Sequence, residues 1–344
     1  MSVILGRFPV LARRVAAIAA LVALACTTWG AARASALGGM YVALGDSYTS
    51  GPLIPNQHGT PIGCWRSDHN YPSLVAASLR PSGFRDVSCA SAVTADMTKP
   101  QSVPLGGVNP PQLGALSPDT TLVTVGIGGN DADLVGIAEA CVTIDLLSPT
   151  GSPCQRHYTV SGRDVAAAGV DAIAPRIAAV LRGIHARSPR AQTLLVGYPA
   201  VLPLSGPGCW PLVPLSAGDV PWFRSLLVRI NHVLAVQAAT NGAKYVDTYT
   251  PSAGHDVCRL PGKKWFEGVI PTSLAFPLHP NALGEASMGG SVLGALGRSP
   301  APTGMLARPR VAAHGWAAPG GTVTATSHAR HGLRAGSAQS RLRR

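Results

Sequence analysis

Acidic side chains are missing from both ends of this 344-residue sequence. Residues 1–36 hold four arginines and residues 298–344 hold eight, with no Asp or Glu in either stretch. The formal net charge of +12 therefore belongs to the ends, because the stretch between them balances sixteen basic against sixteen acidic residues. A neutral body gives no electrostatic ground for nucleic-acid binding. Metal-site spacing is missing too: there is no Cys-x-x-Cys and no close Cys/His cluster, which argues against a zinc module. Neither Gly-x-Gly-x-x-Gly nor Gly-x-x-x-x-Gly-Lys-Ser/Thr occurs, which removes the usual nucleotide-phosphate loops. No internal repeat is visible, and no metal or organic cofactor is expected.

What stands at the two ends has its own logic. Residues 1–36 read as a secretory signal peptide: a basic region through Arg14, an apolar stretch from Val15 to Cys26, and Ala34-Ser35-Ala36 as the cleavage site. The apolar stretch is short for a membrane span. Ala23-Leu24-Ala25-Cys26 also matches the leucine-led box of a lipoprotein poorly. Removing the signal leaves six cysteines, Cys64, Cys89, Cys141, Cys154, Cys209 and Cys258. An even number in a secreted, extracellular chain implies disulfides, and six cysteines allow about 15 pairings that spacing leaves open. From Arg298 onward, Ala, Gly, Pro, Ser and Arg dominate, so residues 298–344 are expected to be a disordered basic tail. Such a tail is either a solvated appendage or a loose attachment to anionic envelope polymer or lipid.

Between the ends, residues 37–297 read as one domain. Met40 to Leu44 is an apolar run ended by Gly45, which predicts a buried strand with Ser47 just past its carboxyl end. That is where α/β sheets place their chemistry, although a serine there serves equally well as a helix cap. Thr120 to Val125 repeats the pattern and leads into Gly126-Ile127-Gly128-Gly129-Asn130-Asp131, where Asn130 offers an amide donor. Further strands are expected at Phe84–Cys89, Thr193–Val196 and Lys244–Tyr249. Helices are expected at Tyr71–Leu79, Val165–Ala186 and Pro221–Ala239, with Pro175 marking a kink or a junction. The alternation predicts an α/β fold, a mainly parallel five-stranded sheet with helices on both faces. His279, between two prolines, is on position alone an ordinary packing residue.

Taken together, Gly45-Asp46-Ser47, Gly128-Gly129-Asn130-Asp131 and His279-Pro280-Asn281 resemble the blocks of the SGNH (GDSL-type) hydrolases, in order and in spacing, over about residues 40–296. The wording GDSYTSG, GIGGND, Gly254-His255-Asp256-Val257-Cys258 and HPNALG resembles secreted actinobacterial lipases and esterases. The resemblance implies a three-layer α/β/α sandwich of flavodoxin-like type and a carboxylic ester hydrolase working through an acyl-enzyme. Ser47 would be the nucleophile and His279 its general base. The oxyanion would meet the Ser47 backbone N–H, the Asn130 side chain and the Ser91 backbone N–H. It also implies the disulfides Cys64–Cys89, Cys141–Cys154 and Cys209–Cys258. The partner expected is a small-molecule or lipid ester, taken by a monomer. An O-acetyl polysaccharide deacetylase and a non-catalytic envelope-binding protein are the competing readings.

Two positions depart from the family pattern. Ser91 stands where many members carry glycine, which is strained if that backbone has a positive φ. Phe276 stands where the family often has the aspartate that orients the histidine. No side chain from Phe276 to Leu278 accepts a hydrogen bond; the resemblance to secreted actinobacterial relatives implies that a backbone carbonyl, that of Phe276, orients His279 in a Ser47–His279 dyad, with a remote carboxylate as the alternative. Trp65, Leu204, Trp210, Leu212, Val213, Leu215, Trp222 and Phe223 are candidates to line an acyl groove or to be ordinary core.

Overall fold

A computed structural model describes residues 38–298; the expected signal peptide and the basic tail beyond Arg298 lie outside the described residues. Five strands form the central sheet: β1 Met40–Gly45, β2 Gly83–Asp86, β3 Thr120–Gly126, β4 Gln192–Val196 and β5 Lys244–Val246. Their order is β5-β4-β3-β1-β2, with every neighbouring pair parallel. The helices are α1 Ser47–Ser50, α2 Tyr71–Leu79, α3 Leu134–Leu147, α4 Pro153–His157, α5 Val165–Asp171, α6 Ala174–Arg187, α7 Asp219–Thr240 and α8 Ala282–Ala295.

Strand geometry explains the uninterrupted apolar run of β1. Successive side chains leave opposite faces, and in a parallel sheet both faces are covered. Val42 and Leu44 enter a large core with Ile177 and Leu181 of α6 and Ile230 and Leu234 of α7. Tyr41 and Ala43 enter a second core with Val75 of α2 and Met288 and Val292 of α8. The result is the expected three layers, with β1 next to the centre.

Some element ends differ from the sequence expectation, each for a local reason. The helix expected over 165–186 is two helices, α5 and α6, with Pro175 in the first turn of α6, where a missing N–H costs nothing. α7 begins at Asp219, whose carboxylate accepts the N–H groups of Cys154 and Gln155. β5 stops at Val246 because the Asp247 side chain takes the N–H groups of Tyr249 and Thr250 into a turn. Cys64–Cys89, Cys141–Cys154 and Cys209–Cys258 are bonded, the second joining α3 to α4. Among the described residues no helix is long and apolar enough to cross a membrane.

Candidate active site

The site lies at the carboxyl ends of β1 and β3, where Gly45 pairs with Gly126. Gly45 has φ +153°, and a Cβ there would collide with Thr49 and the Gly126 carbonyl, so only glycine lets the chain turn here. Asp46 then caps the single turn α1: its N–H reaches the Gly126 carbonyl at 2.9 Å, and its Oδ1 accepts the Tyr48 N–H at 2.9 Å. Ser47 follows as the first residue of that turn, a position whose N–H has no intrahelical acceptor.

His279 arrives from far along the chain. Its Nε2 lies 2.7 Å from Ser47 Oγ, and both side chains are buried. The other ring nitrogen, Nδ1, lies 2.7 Å from the Pro277 carbonyl oxygen. A carbonyl only accepts, so Nδ1 carries the proton and Nε2 is left as an acceptor for the serine hydroxyl. The expectation that the Phe276 carbonyl orients the ring is therefore corrected to Pro277. The Phe276 carbonyl is already taken by the backbone N–H of His279 at 3.2 Å, and Leu278, at φ +61°, reverses the chain between the Pro277 carbonyl and the ring. The Leu278 carbonyl accepts the Tyr48 hydroxyl at 2.7 Å, which ties this loop to α1.

Burial disfavours the charged imidazolium and pulls His279 down to about 4, with the Pro277 carbonyl working in the opposite direction. The ring is thus a neutral base through most of the pH range. No carboxylate is among its hydrogen-bond partners in the described residues.

The segment around Ser91 and the glycine-rich block around Asn130 are bonded to each other. The Asn130 amide donates to the Ala92 carbonyl at 2.9 Å, which fixes its plane and leaves a second N–H on the same nitrogen. Asp131 ties these blocks further, accepting the backbone N–H and hydroxyl of Thr94 at 2.8 and 2.6 Å. Ser91 is exposed with φ +63°, the left-handed conformation that serine adopts at a cost of roughly 1–2 kcal/mol. Its N–H has no acceptor among the described residues.

Three groups important to this geometry escape the sequence patterns. Tyr198, just past β4, donates its hydroxyl to Asp46 Oδ2 and accepts the Gly129 N–H at 2.7 Å. Burial lifts Asp46 to about 7 against the lowering effect of the Tyr198 and Tyr48 hydrogen bonds. The buried pair Lys264–Glu267, 2.7 Å apart, sits behind the histidine. Glu267 also accepts from the Asn281 amide at 2.8 Å, and its backbone N–H donates to the His279 carbonyl at 3.0 Å. The signal that marks Tyr198 is its place in Gly197-Tyr198-Pro199 at a strand's carboxyl end; Lys264 and Glu267 carry none.

A pocket opens beside Ser47 and Asn130 and runs between apolar side chains. Leu134, Ala138, Val142, Leu202, Leu227 and Leu278 line it, with Tyr198 at the serine end. Of the candidate groove residues, Val213, Leu215 and Phe223 line this pocket. Trp222 is core, hydrogen-bonded to Asp164, and Trp65 is half-buried away from the pocket. Leu204, Trp210 and Leu212 are exposed. Among the described residues no His, Cys, Asp or Glu group is arranged to hold a metal.

Known proteins resemble this chain in sequence and in fold. Residues 43–286 match the GDSL-like lipase/acylhydrolase family. Lipase 2 of Streptomyces coelicolor is 39% identical over 260 residues, covering 75% of this chain and 85% of the relative. The crystal structure of phospholipase A1 from Streptomyces albidoflavus superposes with a TM-score of 0.62 at 30% identity, over 76% of this chain and 98% of that one. An extracellular lipase from Streptomyces rimosus superposes at 0.59 with 29% identity, over 76% and 99%. With its serine turn, glycine-rich block and histidine loop meeting at one end of the sheet, this chain belongs to the GDSL-like lipase/acylhydrolase family and is a carboxylic ester hydrolase.

Proposed function

We propose that the protein is a secreted serine lipase or esterase that hydrolyses acyl esters through a covalent intermediate on Ser47. The observation that carries this is the 2.7 Å contact from His279 Nε2 to Ser47 Oγ at the mouth of an apolar pocket. As Ser47 Oγ attacks the ester carbonyl carbon, its proton passes to His279 Nε2. The charge that develops on the carbonyl oxygen falls to the Ser47 N–H, the free N–H of the Asn130 amide and the Ser91 N–H. Collapse of that intermediate expels the alcohol, which takes the proton from His279. Water, deprotonated by the same ring, then releases the acid and restores Ser47. The Pro277 carbonyl holds the imidazole in its working tautomer and faces the positive charge that forms on it.

The acyl chain lies in the pocket lined by Leu134, Val142, Leu215 and Leu227. Its apolar lining supports acyl groups longer than acetyl, against deacetylation of polysaccharide. Export is supported by the pattern of residues 1–36 and by similarity to an extracellular Streptomyces lipase. Rates on p-nitrophenyl esters of graded acyl length test the proposal, with Ser47→Ala as the control. Turnover is expected to rise beyond acetyl and to vanish in the variant. A rate confined to acetyl esters would overturn the acyl-pocket reading, and equal rates for both proteins would overturn the nucleophile.

A further inference from the structure

Three loops beside the catalytic pair, residues 51–57, 200–218 and 268–278, contain no charged residue. They instead hold large apolar side chains out to solvent: Ile270 is 80% exposed, Leu212 73% and Leu274 70%, with Leu53, Trp210 and Phe276 also exposed. Single exposed apolar residues are ordinary, but a cluster is not.

These residues form one rim. The Phe276 N–H donates to the Pro52 carbonyl at 3.0 Å, which sets Phe276 beside Leu53. The site of a Cβ on Gly268 would lie 3.5 Å from Val213 and 3.9 Å from the Leu212 carbonyl, joining the 268–276 loop to Leu212. Cys209–Cys258 joins Trp210 to the loop of Arg259, Leu260 and Lys263. The rim borders the site directly, since the Phe276 ring packs edge-on against the His279 ring at 5.3 Å. Leu212 and Phe276 are also close in sequence to the pocket residues Val213 and Leu278.

Charged groups beside the rim are few, and the exposed acid next to the 51–57 loop is Asp68, whose N–H donates to the Asn56 carbonyl. Between residues 200 and 280 the acids are Asp219, Asp247, Asp256 and Glu267. Asp219, Asp256 and Glu267 are buried, and Asp247 caps the turn after β5. Arg259 and Lys263 stay exposed on either side of the exposed Leu260, with Arg259 Nε held 3.2 Å from the buried Asp256 carboxylate. Apolar tips beside the exposed Lys263 and the exposed guanidinium of Arg259, with Asp256 and Glu267 of the same loop buried, suit the surface of an anionic lipid layer.

We propose that this rim docks the enzyme on an anionic lipid–water interface, so that an ester lipid enters the pocket from the layer rather than from solution. The proposal names a partner for the ester-hydrolase reading above, so binding is measured without turnover. The full chain carrying Ser47→Ala is floated with phosphatidylcholine vesicles and with vesicles containing phosphatidylglycerol. Preferential binding to the anionic vesicles is expected, with a blue shift of fluorescence that Trp210→Phe removes. Adding Ile270→Asp and Leu274→Asp is expected to weaken that binding roughly tenfold or more. With Ser47 restored, the same two substitutions leave hydrolysis of a soluble acetyl ester unchanged. Absence of binding, or undiminished binding by the Asp variant because the basic tail alone carries it, would overturn the proposal. Equal binding to both vesicle types would overturn its electrostatic half.

Discussion

The Tyr198 hydroxyl donates to Asp46 Oδ2 at 2.5 Å while accepting the Gly129 N–H at 2.7 Å, so one phenol joins the serine turn to the glycine-rich block. Ser47 follows Asp46 and Asn130 follows Gly129, so the phenol sets the distance between nucleophile and amide donor. In Tyr198→Phe two buried polar groups lose their partner, which costs about 1–3 kcal/mol of stability. We expect kcat to fall about tenfold with KM nearly unchanged, because the loss bears on the reacting geometry more than on the acyl pocket. Steady-state kinetics and a thermal melt check both parts; an unchanged kcat in a folded variant would show the bridge to be structural only.

The pH dependence follows from two buried groups with opposite shifts. His279 is held at about 4, so kcat/KM is expected to be flat above about pH 5 and to fall about tenfold per pH unit well below 4. A profile falling near 6.5 would show a histidine that is not held neutral by burial.

Stability carries the same two shifts. Between about pH 4 and 6.5 the unfolded chain protonates His279 and the folded chain does not, so this group's contribution is lost as pH falls through that window. Asp46, raised to about 7, is protonated in the fold between about pH 4 and 7 and ionised in the unfolded chain, so its contribution is lost as pH rises. The melting temperature of Asp46→Asn relative to the native chain is therefore expected to increase from pH 4 to pH 7. A constant difference would contradict the raised carboxyl.

The proposed oxyanion donors differ in what substitution does to them. Asn130→Ala removes a side-chain donor and is expected to lower kcat by about 10²–10³. Ser91→Gly keeps the main-chain donor and relieves the left-handed serine at φ +63°. Its gain in stability is expected to stay below about 1 kcal/mol, because glycine also loosens the unfolded chain. Activity should stay within about twofold of native. Parallel kinetics of the two variants separate the donors, and a large loss in Ser91→Gly would show that the serine side chain is needed.

Behind the histidine, Glu267 is held down at about 2: burial would raise it, but the Asn281 amide, Lys264 and the Thr272 N–H prevail. Glu267→Ala strands the buried Lys264 ammonium and is expected to cost about 3–5 kcal/mol. Lys264→Met combined with Glu267→Leu removes both charges and is expected to recover most of that loss. Denaturant unfolding of the three proteins checks the order, and equal losses in the single and double variants would show the pair to be uncoupled.

The sequence was most informative where structure is local. The run Met40–Gly45, the glycine that only a tight turn explains and the serine after it are fixed by φ, by β propensity and by the placement of chemistry at strand ends. Helix and strand ends were less legible, because they depend on side chains such as Asp219 and Asp247 that find their backbone partners only after the chain has folded.

The sequence by itself determined the layer architecture and the turn after β1, because both rest on short-range pattern; the pairing of Ser47 with His279, 232 positions apart, was an expectation that came only from the resemblance to a known family. Tertiary structure decided which carbonyl holds the imidazole. Phe276 and Pro277 are both near in sequence, and only the left-handed Leu278 aims Pro277 at the ring. It also decided that Tyr198 meets Asp46 across 152 positions and that Leu212, Ile270 and Phe276 share one rim. Contacts of that span follow from the sheet order and the packing of loops, which no local pattern encodes.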